Sequence, residues 1–407
     1  MLARHIRTPD APGTHAQQWG RRGLLVAALC TGLIAATALL GCTRAPEPAR
    51  TSREALGTIV TITPYGGQPA SMSHAVDGAF AAIAQTERVL SAYPDAAAAP
   101  NLSAQPPSLE VTSVVGFNRD PFDWHVLPPE VVQVLDRVKA LGVEQYFSPT
   151  LLRVMGLYDF DGKGAVPDET ELARLLRAAQ AFETTVTSAG FEARFADIGI
   201  LSAPPDPPYS SYVAPAVGLD VSGAAKGAAL DSAASVLEGA ARDGVMSGAL
   251  VSAGSTTVVI GNKPASAGDT VWRVGIEDPR DPQRIVGVVE YALGDATSTP
   301  AGVPLGTVST SGDYQQAFVR DGVRYHHILD PATGKPVGGM RSLTVVGASS
   351  GLDSDILSTA LFVMGIDRAE SYARQRGLGL FIVDAQGRTR IVPGPAGAAY
   401  RIAASEE

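Results

Sequence analysis

Cysteine is nearly absent from this sequence. Its 407 residues hold two, Cys30 and Cys42. Both fall within the first 42 residues, so the rest of the chain has no thiol for a disulfide, a cysteine–metal site or a cysteine nucleophile. Histidine is scarce too, with only His74, His125, His326 and His327 beyond residue 42. Positive charge is in deficit: Lys+Arg 32 against Asp+Glu 41 gives −9, which argues against nucleic acid as a partner. There is no internal repeat, coiled-coil heptad or multi-span hydropathy pattern. Charged residues make up only 18% and hydrophobic ones 45%, enough to bury a large core without disulfides. Gly 43 and Pro 29 imply many turns, too few for a fibrous or disordered chain.

The apolar residues concentrate first near the N-terminus. Arg4, Arg7, Arg21 and Arg22 precede an apolar run from Leu24 to Leu40, and Gly41-Cys42 follows. A basic region, an apolar region and a small residue at the cut site make an export signal over residues 1–41. Leu39-Leu40-Gly41-Cys42 resembles a bacterial lipobox, in which the cysteine is lipidated and becomes the new N-terminus. A plain signal anchor is the alternative, since 17 apolar residues just span a bilayer. Arg21-Arg22 also resembles a twin-arginine export signal, a pattern too common to choose the route. Removing a segment of net +3 from a chain of net −9 leaves −12.

Beyond a Pro-containing tether at 42–52, residues 57–63 alternate β-branched positions and read as a strand, and 74–91 have helical spacing. Seven prolines between Pro94 and Pro129 mark a long irregular loop, and residues 201–216 a second one. Helices are expected at 127–141, 168–181, 225–240, 353–364 and 367–375. Strands are expected at 217–221, 248–261, 270–277, 285–292, 314–319 and 342–347, with a hairpin at 378–384/388–393. Without strict βαβ alternation this is an α+β pattern. No linker divides it, so one large domain is expected over 53–395, with a tail at 396–407.

Four segments carry candidate chemistry. LDVSGAAKG (219–227), continuing to Asp231, places a tight turn and a helix start beside a carboxylate and a lysine; helix N-termini bind phosphate, although a plain strand–helix turn reads the same way. TSGDYQQAFVRDGVRYHHILDPATGKP (310–336) holds the adjacent His326 and His327, which point to opposite faces of a strand, so at most one serves a given pocket. Asp355 and Thr359 are i and i+4 on one helix face and offer hard oxygen ligands suited to Mg²⁺ shared with phosphate; the plainer reading is that Asp353 or Asp355 caps the helix. LVSAGSTTVVIGNKP (250–264) alone is a hairpin.

Together these segments resemble the FAD:protein FMN transferase (ApbE) family, from about Arg53 to Val392. The family's lDLGGIAKG is similar to LDVSGAAKG, its TSGDY…HHIIDPxTGxP to 310–336, its ADAxxTAxxVxG to Ser354–Gly365, and its LSxY to Leu90–Tyr93. The resemblance implies an α+β fold of mostly antiparallel sheets with packed helices, related to the T-fold. It implies Mg²⁺ and FAD as substrate, transfer of FMN to a Thr or Ser of an exported flavoprotein at the membrane, and release of AMP. Carried over by position, Gly223, Asp355 and Thr359 are metal ligands. Leu56, Tyr93, Tyr146, Phe147, Ser148, Asp220, Lys226 and Leu329 match places that hold FAD, and His327 matches the HxxDP histidine, a general base or acceptor-positioning group that Asp330 orients or replaces. The chain also departs from the pattern. Ser148 replaces the Asp of GAFDPT, Ser255 and Ser222 each replace a Gly, Asn101 is the only remnant of SELxxLN, and MGLYDF (155–160) lacks the Trp of LWGF. Two rivals stand beside transfer: hydrolysis of FAD to FMN and AMP, and a non-catalytic FAD-binding lipoprotein, which the flavin-side departures favour.

Overall fold

The computed structural model describes residues 50–93, 111–160, 162–196, 217–264, 267, 269–291 and 304–405. Cys42, the leader, Asn101 and the loop 201–216 lie outside them.

An eight-stranded sheet organises the chain. Its strands are β1 (Thr51–Ala55), β2 (Thr58–Tyr65), β6 (Gly248–Ala253), β7 (Thr256–Gly261), β10 (Pro304–Gly312), β13 (Met340–Val346), β14 (Gly379–Asp384) and β15 (Thr389–Val392), in the order β1-β2-β6-β7-β10-β13-β14-β15. Every neighbouring pair is antiparallel. β7 and β14 read as continuous apolar runs because both their faces are covered. Val258, Ile260, Leu380 and Ile382 pack on the helical side, while Val259, Phe381 and Val383 pack on the other. That other side is closed by a three-stranded sheet, β16 (Tyr400–Ala404), β9 (Asp281–Tyr291) and β8 (Trp272–Asp278), through Trp272, Ile276, Val289 and Tyr291.

The helical layer holds α1 (Pro69–Leu90), α6 (Ser222–Arg242) and α7 (Gly351–Met364), with α3 (Pro129–Leu141) and α8 (Ile366–Arg376) beside them. Smaller elements are α2 (Val114–Phe117), α4 (Leu152–Gly156), α5 (Glu169–Ala179), the ribbon β11 (Ala317–Arg320)/β12 (Val323–His326), and the sheet of β3 (His125–Val126), β5 (Phe191–Phe195) and β4 (Phe182–Val186). Helices α6 and α7 meet backbone to backbone: a Cβ built on Gly227 would lie 2.1 Å from the Gly351 carbonyl oxygen. Only glycine permits that approach.

Several expectations are corrected. Helix α1 starts at Pro69 rather than 74, because proline's fixed φ suits the first helical position. Residues 217–221 form no strand. Their backbone bonds instead to the Asn118 side chain, which donates to the Leu219 carbonyl (2.8 Å) and accepts from the Leu219 N–H (2.7 Å), and to Pro149, whose carbonyl accepts from the Asp220 N–H (2.6 Å). Strands β4, β5 and β10 were not expected. The supposed tail supplies β16, paired with β9 from Tyr400↔Tyr291 to Ala404↔Gly287, so the folded unit extends past residue 395.

Candidate functional site

One end of the large sheet gathers most of the expected residues. The two-residue β1–β2 turn, Leu56-Gly57, has φ of +57° and +66°. Leucine in the left-handed region is strained, and such strain concentrates at functional sites. The Leu56 N–H donates to Glu87 Oε1 on α1 (2.7 Å), near the helix end that leads to Tyr93. Through Val60↔Ala253 and Thr256↔Ser309, this turn stands at the same sheet end as the β6–β7 turn and the end of β10. Tyr93 is 59% exposed, its N–H and carbonyl both bonded to Ser91 Oγ.

At that end α6 and α7 converge. The cap of α7 is Ser350, whose Oγ accepts from the Asp353 N–H (3.1 Å), so neither Asp353 nor Asp355 is the N-cap. Asp353 instead takes a bidentate pair of bonds from Arg137 (2.8 and 2.7 Å). Asp355 is buried. Its Oδ2 accepts from the Gly227 N–H of α6 (2.9 Å), and its Oδ1 from Thr256 Oγ1 (2.9 Å) and Ser309 Oγ (3.0 Å). In a regular helix the Gly227 N–H serves the carbonyl of Gly223, four residues back; here it also faces a carboxylate. A Cβ on Gly223 would sit 3.8 Å from Thr359 Oγ1 and 3.1 Å from the Phe147 ring. The Gly223 backbone, Asp355 and Thr359 thus lie together. Among the described residues no three His, Cys, Asp or Glu side chains cluster, so the donors here are one carboxylate, a hydroxyl and a carbonyl. That sparse all-oxygen set fits Mg²⁺ completing its shell with phosphate and water, and does not fit a zinc cage.

The two histidines differ, but not by strand alternation, because β12 ends at His326 and His327 lies in the bend that follows. His326 Nε2–H donates to the Val337 carbonyl (2.6 Å) and its Nδ1 accepts from the Ile328 N–H (3.3 Å), so both nitrogens are occupied by the fold. His327 Nδ1 is shut off from solvent and has no hydrogen-bond partner among the described residues. Burial, then His326 and then Lys226, hold the His327 pKa down at about 4. It is therefore a neutral imidazole at pH 7, and Lys226 is close enough to be felt.

The remaining candidates are backbone elements of the same region or its support. Asp220 Oδ1 accepts from the Ser222 N–H (2.8 Å) in the turn that leads into α6, whose N-cap is Val221. Phe147 is buried against Gly223, and the Tyr146 hydroxyl accepts from Arg368 (3.2 Å). Leu329 is buried among Val154, Tyr158, Leu172 and Leu175, so its side chain belongs to the core. Asp330 Oδ1 accepts from the Ala332 N–H (2.9 Å) and shapes its own turn; it does not serve His327 Nδ1. The departures are absorbed locally. Ser148 Oγ accepts from the Thr150 N–H (3.3 Å), the bond an aspartate would make at that turn. Gly254 has φ +54° while Ser255 has a negative φ, a hairpin pattern that needs glycine only at its first position. In MGLYDF, Tyr158 fills the core and donates to the Gly334 carbonyl (2.7 Å). The sequence reading did not single out Thr256, Ser309 or Arg137, and it gave no role to Asp231, Ser311 or Ser358, which lie within or beside its motifs. A period-2 reading of Thr307-Val-Ser-Thr-Ser311 would have aligned Ser309 and Ser311 on one face.

Residues 56–382 match the ApbE family. A relative from Treponema pallidum, named FAD:protein FMN transferase, is 30% identical over 79% of this chain and 80% of its own length. One from Rhodobacter capsulatus, of the same name, is 30% identical over 63% of this chain and 46% of its own length. The crystal structure of the ApbE protein of Thermotoga maritima superposes with a TM-score of 0.62 at 26% identity, over 84% of this chain and 96% of that one. Apo flavinyl transferase ApbE of Pseudomonas stutzeri shares the fold, with a TM-score of 0.59 at 24% identity over 88% and 95%. With its family match spanning most of its length, this chain belongs to the ApbE family.

Proposed function

We infer that this chain is an FAD:protein FMN transferase, moving FMN from FAD onto a Thr or Ser hydroxyl of another protein with release of AMP. The observation that carries the reading is the meeting of Gly223, Asp355 and Thr359, drawn from two helices joined where Gly227 meets Asp355, 128 residues on in sequence, beside Lys226 and His327.

The chemistry follows from those groups. The neutral imidazole of His327 takes the proton of the acceptor hydroxyl. The freed oxygen attacks the phosphorus on the FMN side, the bond to the AMP phosphate breaks, and AMP leaves with the electron pair. Lys226 and the positive dipole end at the start of α6 stabilise negative charge on the pyrophosphate. Asp355, Thr359 and the Gly223 carbonyl would hold Mg²⁺, which when bound neutralises pyrophosphate charge. Tyr93, Leu56 and the 146–148 segment hold the flavin end, the Asp220 turn the nucleotide end. The lipobox reading places the enzyme outside the cytoplasm, anchored through Cys42, with an exported electron-transfer flavoprotein as acceptor.

The test is incubation with FAD, Mg²⁺ and a flavin-acceptor domain. Flavin fluorescence that stays on the acceptor after denaturation supports transfer. Free FMN and AMP alone replace it with hydrolysis, and intact FAD with a binder. Asp355→Ala is expected to abolish AMP release; Ser350 still caps α7, but the variant strands the Gly227, Thr256 and Ser309 donors, so thermal unfolding is measured beside it. Full activity would remove the metal assignment. Cys42→Ala is expected to release the protein from the membrane; unchanged fractionation would refute the anchor.

A further inference from the structure

A continuous run of hydroxyls joins the two side chains assigned to the cation. Thr359 Oγ1 lies 3.2 Å from Ser311 Oγ, which lies 2.9 Å from Ser358 Oγ. Ser358 reaches the Asp355 main-chain carbonyl at 3.0 Å and Ser309 Oγ at 3.3 Å, and Ser309 reaches Asp355 Oδ1 at 3.0 Å.

Each hydroxyl has one proton, and carbonyl and ionised carboxylate oxygens only accept. One proton order serves both acceptor-only oxygens of Asp355, and in it the approaches of Ser309 to Ser358 (3.3 Å) and to Thr256 (3.0 Å) carry no proton. Ser309 spends its proton on Asp355 Oδ1. Ser358 spends its own on the Asp355 carbonyl. The contact between Ser358 and Ser311 is then a bond only if Ser311 donates, and the contact between Ser311 and Thr359 only if Thr359 donates. The proton of Thr359 therefore points back into the protein, and the free face of its oxygen carries lone pairs alone. A hydroxyl with its proton turned outward would oppose a cation; this one is set to ligate it.

We propose that Ser311 and Ser358 are positioning residues that turn Thr359 into a cation ligand by holding its proton away from the metal-facing side. The proposal rests on the metal reading above. It assigns these serines no contact with substrate: they act through Thr359, and hydrogen-bonded groups behind metal ligands alter metal affinity by roughly 10–100-fold.

The experiment titrates Mn²⁺ into the protein with FAD and no acceptor, reading free Mn²⁺ by electron paramagnetic resonance, with melting temperature measured alongside. Ser311→Ala is expected to weaken Mn²⁺ binding roughly tenfold with little change in melting temperature, and Ser311→Thr, which keeps the hydroxyl, to restore it. In turnover, Ser311→Ala is expected to raise the Mg²⁺ concentration for half-maximal rate more than it lowers kcat. Ser358→Ala carries the same expectation if Ser311→Ala does not fold. Wild-type affinity in both alanine variants, with Asp355→Ala losing Mn²⁺, overturns the orienting chain and leaves the metal site. Wild-type affinity in Asp355→Ala, or no Mn²⁺ binding by the unaltered protein, overturns both.

Discussion

His327 shows how much environment decides at the scale of one residue. It follows His326 directly, yet the fold occupies both nitrogens of His326 and leaves Nδ1 of its neighbour unpartnered. With the pKa of His327 held at about 4, the transfer rate is expected to be flat between pH 5 and 8, without the inflection near 6.5 that an unperturbed histidine gives. An inflection near 6.5 that His327→Gln removes would show that the ring is not desolvated during turnover. His327→Ala is expected to lower kcat about 10²–10⁴-fold with FAD binding retained, measured by AMP release and fluorescence quenching. The adjacent pair was legible as a pair, with one member at most in the site. Spacing alone could not tell which member, and only the family resemblance named His327, because the deciding partners, Val337 and Ile328, are brought in by a turn and a main-chain approach that no spacing rule encodes.

Among the elements, the crossing of α6 and α7 does the assembling. Gly351→Ala is expected to destabilise the protein by about 1–3 kcal/mol, the usual cost of overpacking, because its Cβ would sit 2.8 Å from the Gly227 carbonyl. Thermal unfolding checks this, and Mn²⁺ affinity should fall with it as the helices part. Gly338→Ala, where a Cβ meets nothing within 4 Å, is the control. Amphipathic spacing made α3, α5 and α8 visible in the sequence, and the helical period placed Asp355 with Thr359. It did not show that Asp355 faces inward to Gly227, Thr256 and Ser309, since those donors come from α6, β7 and β10. Strands β4 and β5 escaped because FETTV and FEARF carry few apolar residues. The stretch 217–221 alternates like a strand, but Asn118 and Pro149 take its backbone bonds before any neighbouring strand does.

Over the whole molecule, two buried acid–base groups bend the dependence of stability on pH in opposite senses. Asp231 accepts the Gly351 and Leu352 N–H groups at the start of α7, and burial still lifts its pKa to about 6 from an ordinary 3.8. Between those values the folded protein binds the extra proton, so this carboxylate's contribution declines as pH rises. His327 does the reverse. Between about 4 and 6.5 the unfolded chain binds the proton, so its contribution grows with pH up to 6.5 and is lost on acidification. Removing one group should expose the other. Asp231→Asn is expected to steepen the rise in stability from pH 4 to 6, and His327→Gln to flatten or invert it, as read from urea unfolding across that range. Parallel curves for both variants would show that neither shift survives in solution.

The separation of α6 from α7 along the chain also has a temporal side. Gly223 leaves the ribosome 132 residues before Asp355 and further still before Thr359. Until that later segment emerges, the oxygen donors have no common centre, and the start of α6 lacks the carboxylate that faces Gly227. On the proposed site, a nascent chain is thus blind to both nucleotide and cation, whatever their concentration around it. A fragment ending at Ser349 is expected to bind no FAD at concentrations that saturate the full sequence, so ligand capture waits until α7 has been synthesised.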